Sequence, residues 1–176
     1  MTRYDDICKA AIGNYGLVTA SQARKLGVLL KDMLEWVKLG RLEKCGRGVY
    51  RLVHYLPTEY DQYAVAVALV GDDAMVWGMS VLAMHNLALV NPDGISIATK
   101  RRVRKVLPQW IHIVRLPKNA QMDDFNGIRC QKLAAAIREA RGKIMTDRLA
   151  AAVRDAERKG LLNVTEVELL TKELSA

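Results

Sequence analysis

Residues Thr19–Arg51 read TASQARKLGVLLKDMLEWVKLGRLEKCGRGVYR, and this stretch decides the fold of the N-terminal part of the chain. Thr19 and Gln22 form a capping-box pattern, in which each side chain satisfies a backbone donor in the first turn of a helix. The pattern predicts a short helix that runs to Gly27. After it, a further helix is predicted from one apolar face at helical spacing, which consists of Leu30, Met33, Leu34 and Val37.

Beyond Gly40, which ends that helix, the pattern becomes that of a β-hairpin. Residues 42–45 and 49–52 are short strand-like runs on either side of the glycine-flanked turn Gly46-Arg47-Gly48. Another helix precedes the whole stretch, because apolar residues recur at helical spacing over residues 4–15. Three helices followed by a basic hairpin is the order of a winged helix-turn-helix. In that fold the third helix enters the major groove of DNA, and the wing contacts phosphates or the minor groove.

Polar residues on the outward faces of this segment are the predicted DNA contacts. Six residues of the second and third helices are expected to read base edges: Ser21, Gln22, Lys31, Asp32, Glu35 and Lys38. Basic residues around them are expected to contact phosphates: Lys25, Arg41, Lys44, Arg47 and Arg51. A charged helix face of this kind is also typical of a solvated surface. Its two acidic side chains repel phosphate and are useful only if they accept from cytosine or reject wrong sites.

The charge balance favours an anionic partner. The chain has 176 residues, with 27 Lys and Arg against 19 Asp and Glu, for a formal net charge of +8. Residues 1–56 hold ten of the basic and five of the acidic residues, so most of the surplus lies at the N-terminus. Charge alone does not distinguish nucleic acid from an acidic protein or a membrane surface.

Other classes of protein lack support in the sequence. No apolar run is long enough to span a membrane and the first residues are polar, so a soluble, cytoplasmic protein without a membrane partner is expected. The three cysteines and three histidines are scattered, so neither a disulfide framework nor a metal site nor a cofactor is expected. His85 has no nucleophile or orienting acid nearby in sequence and is expected to be a hydrogen-bonded structural histidine. No catalytic residue is predicted, and the protein is not expected to be an enzyme.

Residues 57–126 are predicted to form a small mixed α/β domain. Helices are expected near residues 60–68 and 81–85. The alternating segments 94–99 and 110–115 are expected to be antiparallel strands with one buried face.

The densest charge in the chain lies between these two strands, in the basic run of residues 100–105: Lys100, Arg101, Arg102, Arg104 and Lys105, with Val103 among them. The basic run is either a solvated hairpin connection or a second phosphate contact. A restriction-type nuclease centre is not supported here. Ala98 stands where a second metal-binding carboxylate beside Asp93 is needed.

Residues 127–176 are predicted to be a C-terminal helical segment after one short strand near residue 128. Apolar stripes predict helices over residues 133–140 and 149–156, and a capping box at Thr165 and Glu168 predicts the start of the last one. The alanine-rich stripes have two interpretations, a surface for a homodimer or another partner, or simple packing on the middle domain. The whole chain is thus predicted to be an α+β protein with an N-terminal winged helix-turn-helix.

Three stretches resemble a known family. Residues 15–23, YGLVTASQA, and 39–51, LGRLEKCGRGVYR, resemble the N-terminal winged helix of AbiEi-type antitoxins. Residues 76–87, VWGMSVLAMHNL, are similar to the helix and histidine-containing turn that follow in that family. The resemblance implies a bacterial transcriptional repressor of a type IV toxin–antitoxin operon, whose winged helix binds inverted repeats in its own promoter. It also implies a nucleotidyltransferase-like toxin, encoded nearby, that the next domain opposes.

Two functions therefore follow as hypotheses. The first is a sequence-specific double-stranded DNA-binding repressor, an AbiEi-like antitoxin that regulates its own operon. The alternative is a protein-interaction module whose C-terminal helices bind and neutralise an acidic partner such as the toxin, with the winged helix as a scaffold. A fold does not by itself settle a function.

Overall fold

The structure is a computed structural model that describes residues 2–176, and these residues form eight helices and two β-sheets. The predicted mixed α+β class is confirmed. The chain divides into two compact units, Met1–Asp72 and Asp73–Ala176. The division into domains of residues 1–56, 57–126 and 127–176 concerns independent folding and stays a prediction.

The first unit is built from helices that surround a small antiparallel sheet. Its elements are α1 (Arg3–Ile12), β1 (Leu17–Thr19), α2 (Ala20–Lys25), α3 (Leu30–Lys38), β2 (Leu42–Gly46), β3 (Val49–Leu52) and α4 (Asp61–Val70). The sheet has the order β1-β3-β2, so the last strand of the hairpin lies in the middle. Buried residues from the first three helices and the sheet, among them Ile7, Met33 and Tyr50, form its core.

The capping box predicted at Thr19 is confirmed. The Gln22 amide donates to Thr19 Oγ1 at 3.1 Å, and Gln22 Oε1 accepts from the Thr19 amide at 2.9 Å. The short strand β1, which leads directly into this cap, was not predicted. A strand of three residues is too short to show an alternating pattern.

The buried face of α3 differs from the predicted one. Met33 is fully buried as expected, but Leu30 and Leu34 are 55 % and 41 % exposed. Their place is taken by Trp36, which packs on the core and meets the Tyr4 ring edge-on, with 5.1 Å between ring centroids. This helix has apolar residues on two neighbouring faces, so the helical spacing of its apolar residues does not show which of the two is buried. The indole has the larger apolar surface to bury, and it decides the orientation.

The second unit combines a mixed sheet with helices. Its elements are β4 (Met75–Val76), α5 (Met79–Met84), β5 (Ile95–Thr99), β6 (Ile111–Arg115), β7 (Met122–Phe125), β8 (Ile128–Gln131), α6 (Leu133–Glu139), α7 (Thr146–Arg158) and α8 (Val164–Ser175). The strand order is β6-β5-β4-β8-β7, which makes β6 and β7 the edge strands.

The predicted antiparallel pairing of the two middle strands is wrong, because β5 and β6 are parallel. Ile95 lies beside Ile111 and Thr99 beside Arg115, so both strands run the same way. The alternation of apolar residues identifies a strand and its buried face but carries no information about its direction. The basic run is consequently part of a crossover (residues 100–110) that returns the chain to the start of β6, and not part of a hairpin connection.

The apolar stripes of the C-terminal helices are buried within the second unit. Residues 134–137 of α6 and Leu149, Ala152, Val153 and Ala156 of α7 include fully covered side chains, as their spacing predicted. These stripes are therefore covered by the chain itself. Among the described residues, none of the helices combines the length and the apolar character that crossing a membrane requires.

The start of α8 lies two residues before the predicted one. Asn163 Oδ1 accepts from the Glu166 amide at 2.9 Å, and Glu166 Oε2 accepts from the Asn163 amide at 3.1 Å. The capping box predicted at Thr165 is therefore wrong. Both Asn163 and Thr165 have a glutamate three residues later, and asparagine is the stronger cap of the two.

Candidate nucleic-acid interface

The hairpin (residues 42–52) projects a basic tip from the first unit. Arg47 and Gly48 form the turn between β2 and β3, and Gly48 has a φ of +73°, which glycine adopts without strain. The Ala20 amide donates to the Gly48 carbonyl at 2.8 Å, so the tip is tied to the first residue of α2. Lys44 and Arg47 are exposed and make no ion pair with any residue that the structure describes. Their charges are available to a ligand.

The base of the hairpin is fixed by an ion-pair cluster. Arg51 Nε donates to Glu43 Oε1 at 2.6 Å across the two strands, and Arg51 Nη1 lies 3.4 Å from Asp61 Oδ2 at the start of α4. Asp61 is buried and also accepts from the amide and hydroxyl of Thr58, both at 2.7 Å. Arg51, a predicted phosphate contact, is therefore half-buried and already paired with two carboxylates.

The outward face of α3 carries three of the predicted base-reading residues. Lys31, Glu35 and Lys38 are exposed and form no ion pair within residues 2–176. Asp32 is engaged differently, because its Oδ2 accepts from the Leu29 amide at 3.2 Å and so caps α3. Arg3 lies 3.8 Å from the same carboxylate. The helix thus presents two cations and one acid to the solvent.

The N-terminal turn of α2 brings further predicted contacts to the surface. Ser21, Gln22 and Lys25 are exposed, but Gln22 uses its side-chain oxygen in the capping box and has only the amide NH₂ left to offer. Arg24 is a further exposed cation on this helix and was not among the predicted contacts. Its position next to Lys25 in a short helix was the signal that could have identified it.

Arg41 lies beyond α3 and is held by an aromatic ring. Its guanidinium carbon lies 5.1 Å from the centroid of the Tyr4 ring, a cation–π distance, and Tyr4 Oη donates to the Arg41 carbonyl at 3.5 Å. Arg41 remains exposed. Stacking on Tyr4 orders the side chain and still leaves guanidinium N–H groups for a phosphate oxygen.

Leucine side chains lie exposed around α3, and two of them, Leu30 and Leu34, belong to the face that was predicted to be buried. Each of them is between 41 and 60 % exposed, and they form the leucine surface: Leu26, Leu29, Leu30, Leu34 and Leu39. Scattered exposed leucines are common, but five in one short segment mark a surface suited to apolar contact.

The basic run belongs to the second unit and is anchored at its start. Asp73 Oδ2 accepts from Thr99 Oγ1 at 2.9 Å and from the Lys100 amide at 3.0 Å, and Asp73 Oδ1 lies 3.9 Å from Arg101 Nε. Burial acts to raise the pKa of Asp73, but the hydrogen bonds and the Arg101 charge outweigh it, so this pKa lies below its usual value. Asp73 is therefore ionised at neutral pH and holds the beginning of the crossover.

The surplus charge is distributed unequally between the two units. Met1–Asp72 contains ten basic and eight acidic residues, for a net charge of +2, and Asp73–Ala176 contains 17 and 11, for +6. The first unit is nearly neutral because α4 and its flanking loops add Glu59, Asp61 and Asp72 to the five acids of residues 1–56. Any electrostatic attraction by the first unit is therefore local to the hairpin and the exposed helix faces.

His85 follows α5, and at one of its two ring nitrogens the structure departs from the hydrogen-bonded histidine that was expected. In the part of the chain that the structure describes, its buried Nδ1 has no hydrogen-bond partner. The ring packs instead against Phe125, with 4.2 Å between centroids. Burial lowers the pKa of His85 to about 4, the Asp123 charge opposes this, and Lys159 reinforces it. The imidazole is thus neutral at physiological pH.

Comparison with known proteins adds no assignment: the sequence matches no family model and has no match among curated proteins.

Proposed function

We propose that the protein binds double-stranded DNA as a sequence-specific repressor, with the first unit acting as a winged helix-turn-helix. The observation that carries the proposal is the hairpin tip. Arg47 is exposed and has no ion-pair partner among the described residues. It lies at the end of a hairpin whose base is fixed by Arg51 and Asp61 and whose tip is tied to α2. A rigid support of this kind holds a cation in place for a phosphate or the minor groove.

The contacts of the proposed complex differ in kind. Lys31, Glu35 and Lys38 on α3 face the base edges, with Ser21 and the Gln22 amide beside them. Phosphate contacts come from basic residues that have no acidic partner within residues 2–176: Lys25, Arg41, Lys44 and Arg47, to which Arg24 is added. Arg51 supports the hairpin, and Asp32 caps α3, so neither is assigned a DNA contact.

The biological role rests on the resemblance of residues 15–23, 39–51 and 76–87 to AbiEi-type antitoxins. On this basis the DNA is the protein's own promoter, the site is an inverted repeat, and a homodimer binds it, since a palindromic site mirrors two-fold symmetry. The antitoxin role adds a nearby nucleotidyltransferase-like toxin as the partner. Promoter binding and toxin neutralisation are separate proposals, and either can fail alone.

The test is promoter binding by an Arg47→Ala variant at several salt concentrations. The logarithm of affinity should fall with the logarithm of salt with a slope of about −0.9 per neutralised phosphate. Loss of Arg47 should weaken binding to all sequences and flatten that slope by about one unit. Arg154→Ala, which removes an exposed cation from α7, is the matched control and should change neither. Equal affinity of the wild-type protein for promoter and random DNA would exclude the repressor.

The leucine surface favours a second candidate, a protein-interaction module in which the first unit itself provides the binding surface. Five exposed leucines around α3 suit an apolar partner better than a phosphate backbone. Leu30→Ser and Leu34→Ser should abolish co-purification with the product of the neighbouring gene under this interpretation. If α3 instead reads DNA, the same variants should alter promoter specificity and leave co-purification intact.

A further inference from the structure

A cavity of about 710 Å³ lies beneath the crossover of the second unit. It is bounded by the basic run on one side and by the exposed end of β6 on the other. Its volume lies within the range of about 300 to 1,000 Å³ that is usual for small-molecule sites. The cavity exists because β5 and β6 are parallel, since the crossover must pass back along the sheet to reach the start of β6.

The cavity is lined by five cationic side chains: Lys100, Arg101, Arg102, Lys105 and Arg115. Among its described lining residues there is no carboxylate. Arg101 pairs loosely with Asp73, and the other four make no ion pair with a described residue. Cations so close together repel one another, and a small polyanion would relieve that repulsion.

Arg115 reaches this cavity through the register of the strands. It follows Ile111 and Ile113 on the same face of β6, and it lies beside Thr99, the last residue of β5 before the basic run. A second cavity of about 630 Å³ shares Lys100 and Arg115 with the first and adds Lys118. The cationic lining therefore continues past the end of β6.

The rest of the lining is apolar and favours a small ligand over a duplex. Apart from Thr99 and Gln109, the remaining wall is formed by apolar residues: Val103, Leu107, Pro108, Ile111, Ile113 and Val114. The backbone of duplex DNA is convex, so it would contact the exposed cations and leave this concave apolar wall empty. Cations and an apolar wall within one cavity suit a compact anion that carries an organic group.

We propose that the cavity binds a ligand with a phosphate chain, of the nucleoside polyphosphate or inorganic oligophosphate class. Arginine guanidinium groups bind phosphate oxygens in pairs, and lysine supplies point charges. An oligophosphate concentrates several negative charges in a volume that the cavity accommodates. Inorganic triphosphate engages the cations alone, whereas a nucleoside triphosphate also places its organic part on the apolar wall.

Arg104 provides the matched control for this site. It belongs to the same basic run and is exposed, but it does not line the cavity. Arg102→Ala, Lys105→Ala and Arg104→Ala each remove one positive charge from the same six residues. A difference in ligand affinity between these variants therefore depends on contact with the cavity and not on net charge.

The experiment is calorimetric titration of the full chain with inorganic triphosphate and with ATP. Arg102→Ala and Lys105→Ala should each weaken affinity by roughly tenfold, as expected for one hydrogen bond to a charged group, and Arg104→Ala by about twofold or less. Thermal unfolding of each variant without ligand checks that the fold is kept. Tighter binding of ATP than of triphosphate assigns the organic part to the apolar wall, and equal affinity assigns recognition to the phosphate chain alone.

Three results would overturn the proposal. They are failure of both ligands to bind at millimolar concentration, equal losses from all three variants, and weaker promoter binding in the Arg102 and Lys105 variants without any triphosphate binding. The last result would assign the basic run to duplex DNA. The wing variant Arg47→Ala should leave triphosphate affinity unchanged, so failure of the repressor proposal and failure of this one are distinguishable.

Discussion

At the scale of single residues, burial decides which titratable and charged groups are available. Arg51 and Arg47 lie in one hairpin and are both basic. Arg51 forms ion pairs with Glu43 and Asp61, whereas Arg47, at the tip, pairs with no acidic residue in the described part of the chain. The sequence places both near the turn but does not show that α4 brings a buried carboxylate against one of them. Whether a cation forms an ion pair depends on residues that are distant in sequence. The ion pair distinguishes a cation that supports the fold from one that is available to a ligand.

His85 gives a prediction at the same scale. Its pKa is about 4 in the folded protein and about 6.5 in an unfolded chain, so the folded state disfavours protonation. Stability from the neutral imidazole is complete above about pH 6.5 and is lost as the pH falls toward 4. The loss should reach about 3 kcal/mol. Urea unfolding of wild type and His85→Leu at about pH 7 and pH 4 measures it. Equal pH dependence in the two proteins would contradict the assignment.

At the scale of secondary-structure elements, the hairpin is positioned by a close approach to α4. Gly46 ends β2, and a β-carbon there would overlap the buried side chain of Leu69 in α4. The sequence shows Gly46 as one of two glycines that flank a turn, which explains the turn but not the contact. Glycine is needed here for space as well as for turn geometry.

Gly46→Ala should therefore destabilise the first unit. Leu69 is buried, so its side chain has little room to move away from an added β-carbon. The overpacking should cost about 1–3 kcal/mol in the free energy of unfolding. Gly13→Ala is the matched control, because Gly13 has an ordinary φ of −78° and no described atom within 4 Å of an added β-carbon. Denaturant titration of both variants gives the comparison. A loss at Gly13 as large as the loss at Gly46 would argue against the contact with Leu69.

At the scale of the whole molecule, the boundary of the first unit sets its charge and its stability. Residues 1–56 have a surplus of five positive charges, but the compact unit extends to Asp72 and has a surplus of only two. The extension consists mainly of α4, which contacts β1 and β3 and supplies Asp61 to Arg51. The unit is therefore less basic than the sequence segments indicate, and the +6 of the second unit makes the basic run the stronger electrostatic feature.

Fragments of the chain test this boundary. A fragment of residues 1–72 should unfold cooperatively, because it retains the core and the helix that covers the sheet. A fragment of residues 1–56 lacks α4, so Gly46 loses the covering side chain of Leu69 and Arg51 loses its partner Asp61. This fragment should be strongly destabilised or unfolded. Thermal unfolding followed by circular dichroism compares them. Similar stabilities for the two fragments would favour the shorter domain.

The sequence by itself determined the elements whose signals are local. The Thr19 capping box, the helical stripes of α6 and α7 and the glycine-flanked hairpin turn are set by residues within a few positions of one another, and the structure has each of them. Such features form through short-range hydrogen bonds and side-chain periodicity, so a single stretch of sequence contains the information.

Only the tertiary structure decided the features that depend on distant residues. Trp36 rather than Leu34 faces the core because Tyr4 lies opposite. The strands β5 and β6 are parallel because the crossover returns the chain to the same end of the sheet. Asp73 anchors the basic run from 27 residues away. Alternation is the same for both strand directions, and two neighbouring apolar faces of a helix look alike in sequence. Tertiary packing selects one strand direction and one helix face. It thereby also determines which cations are free to bind a ligand.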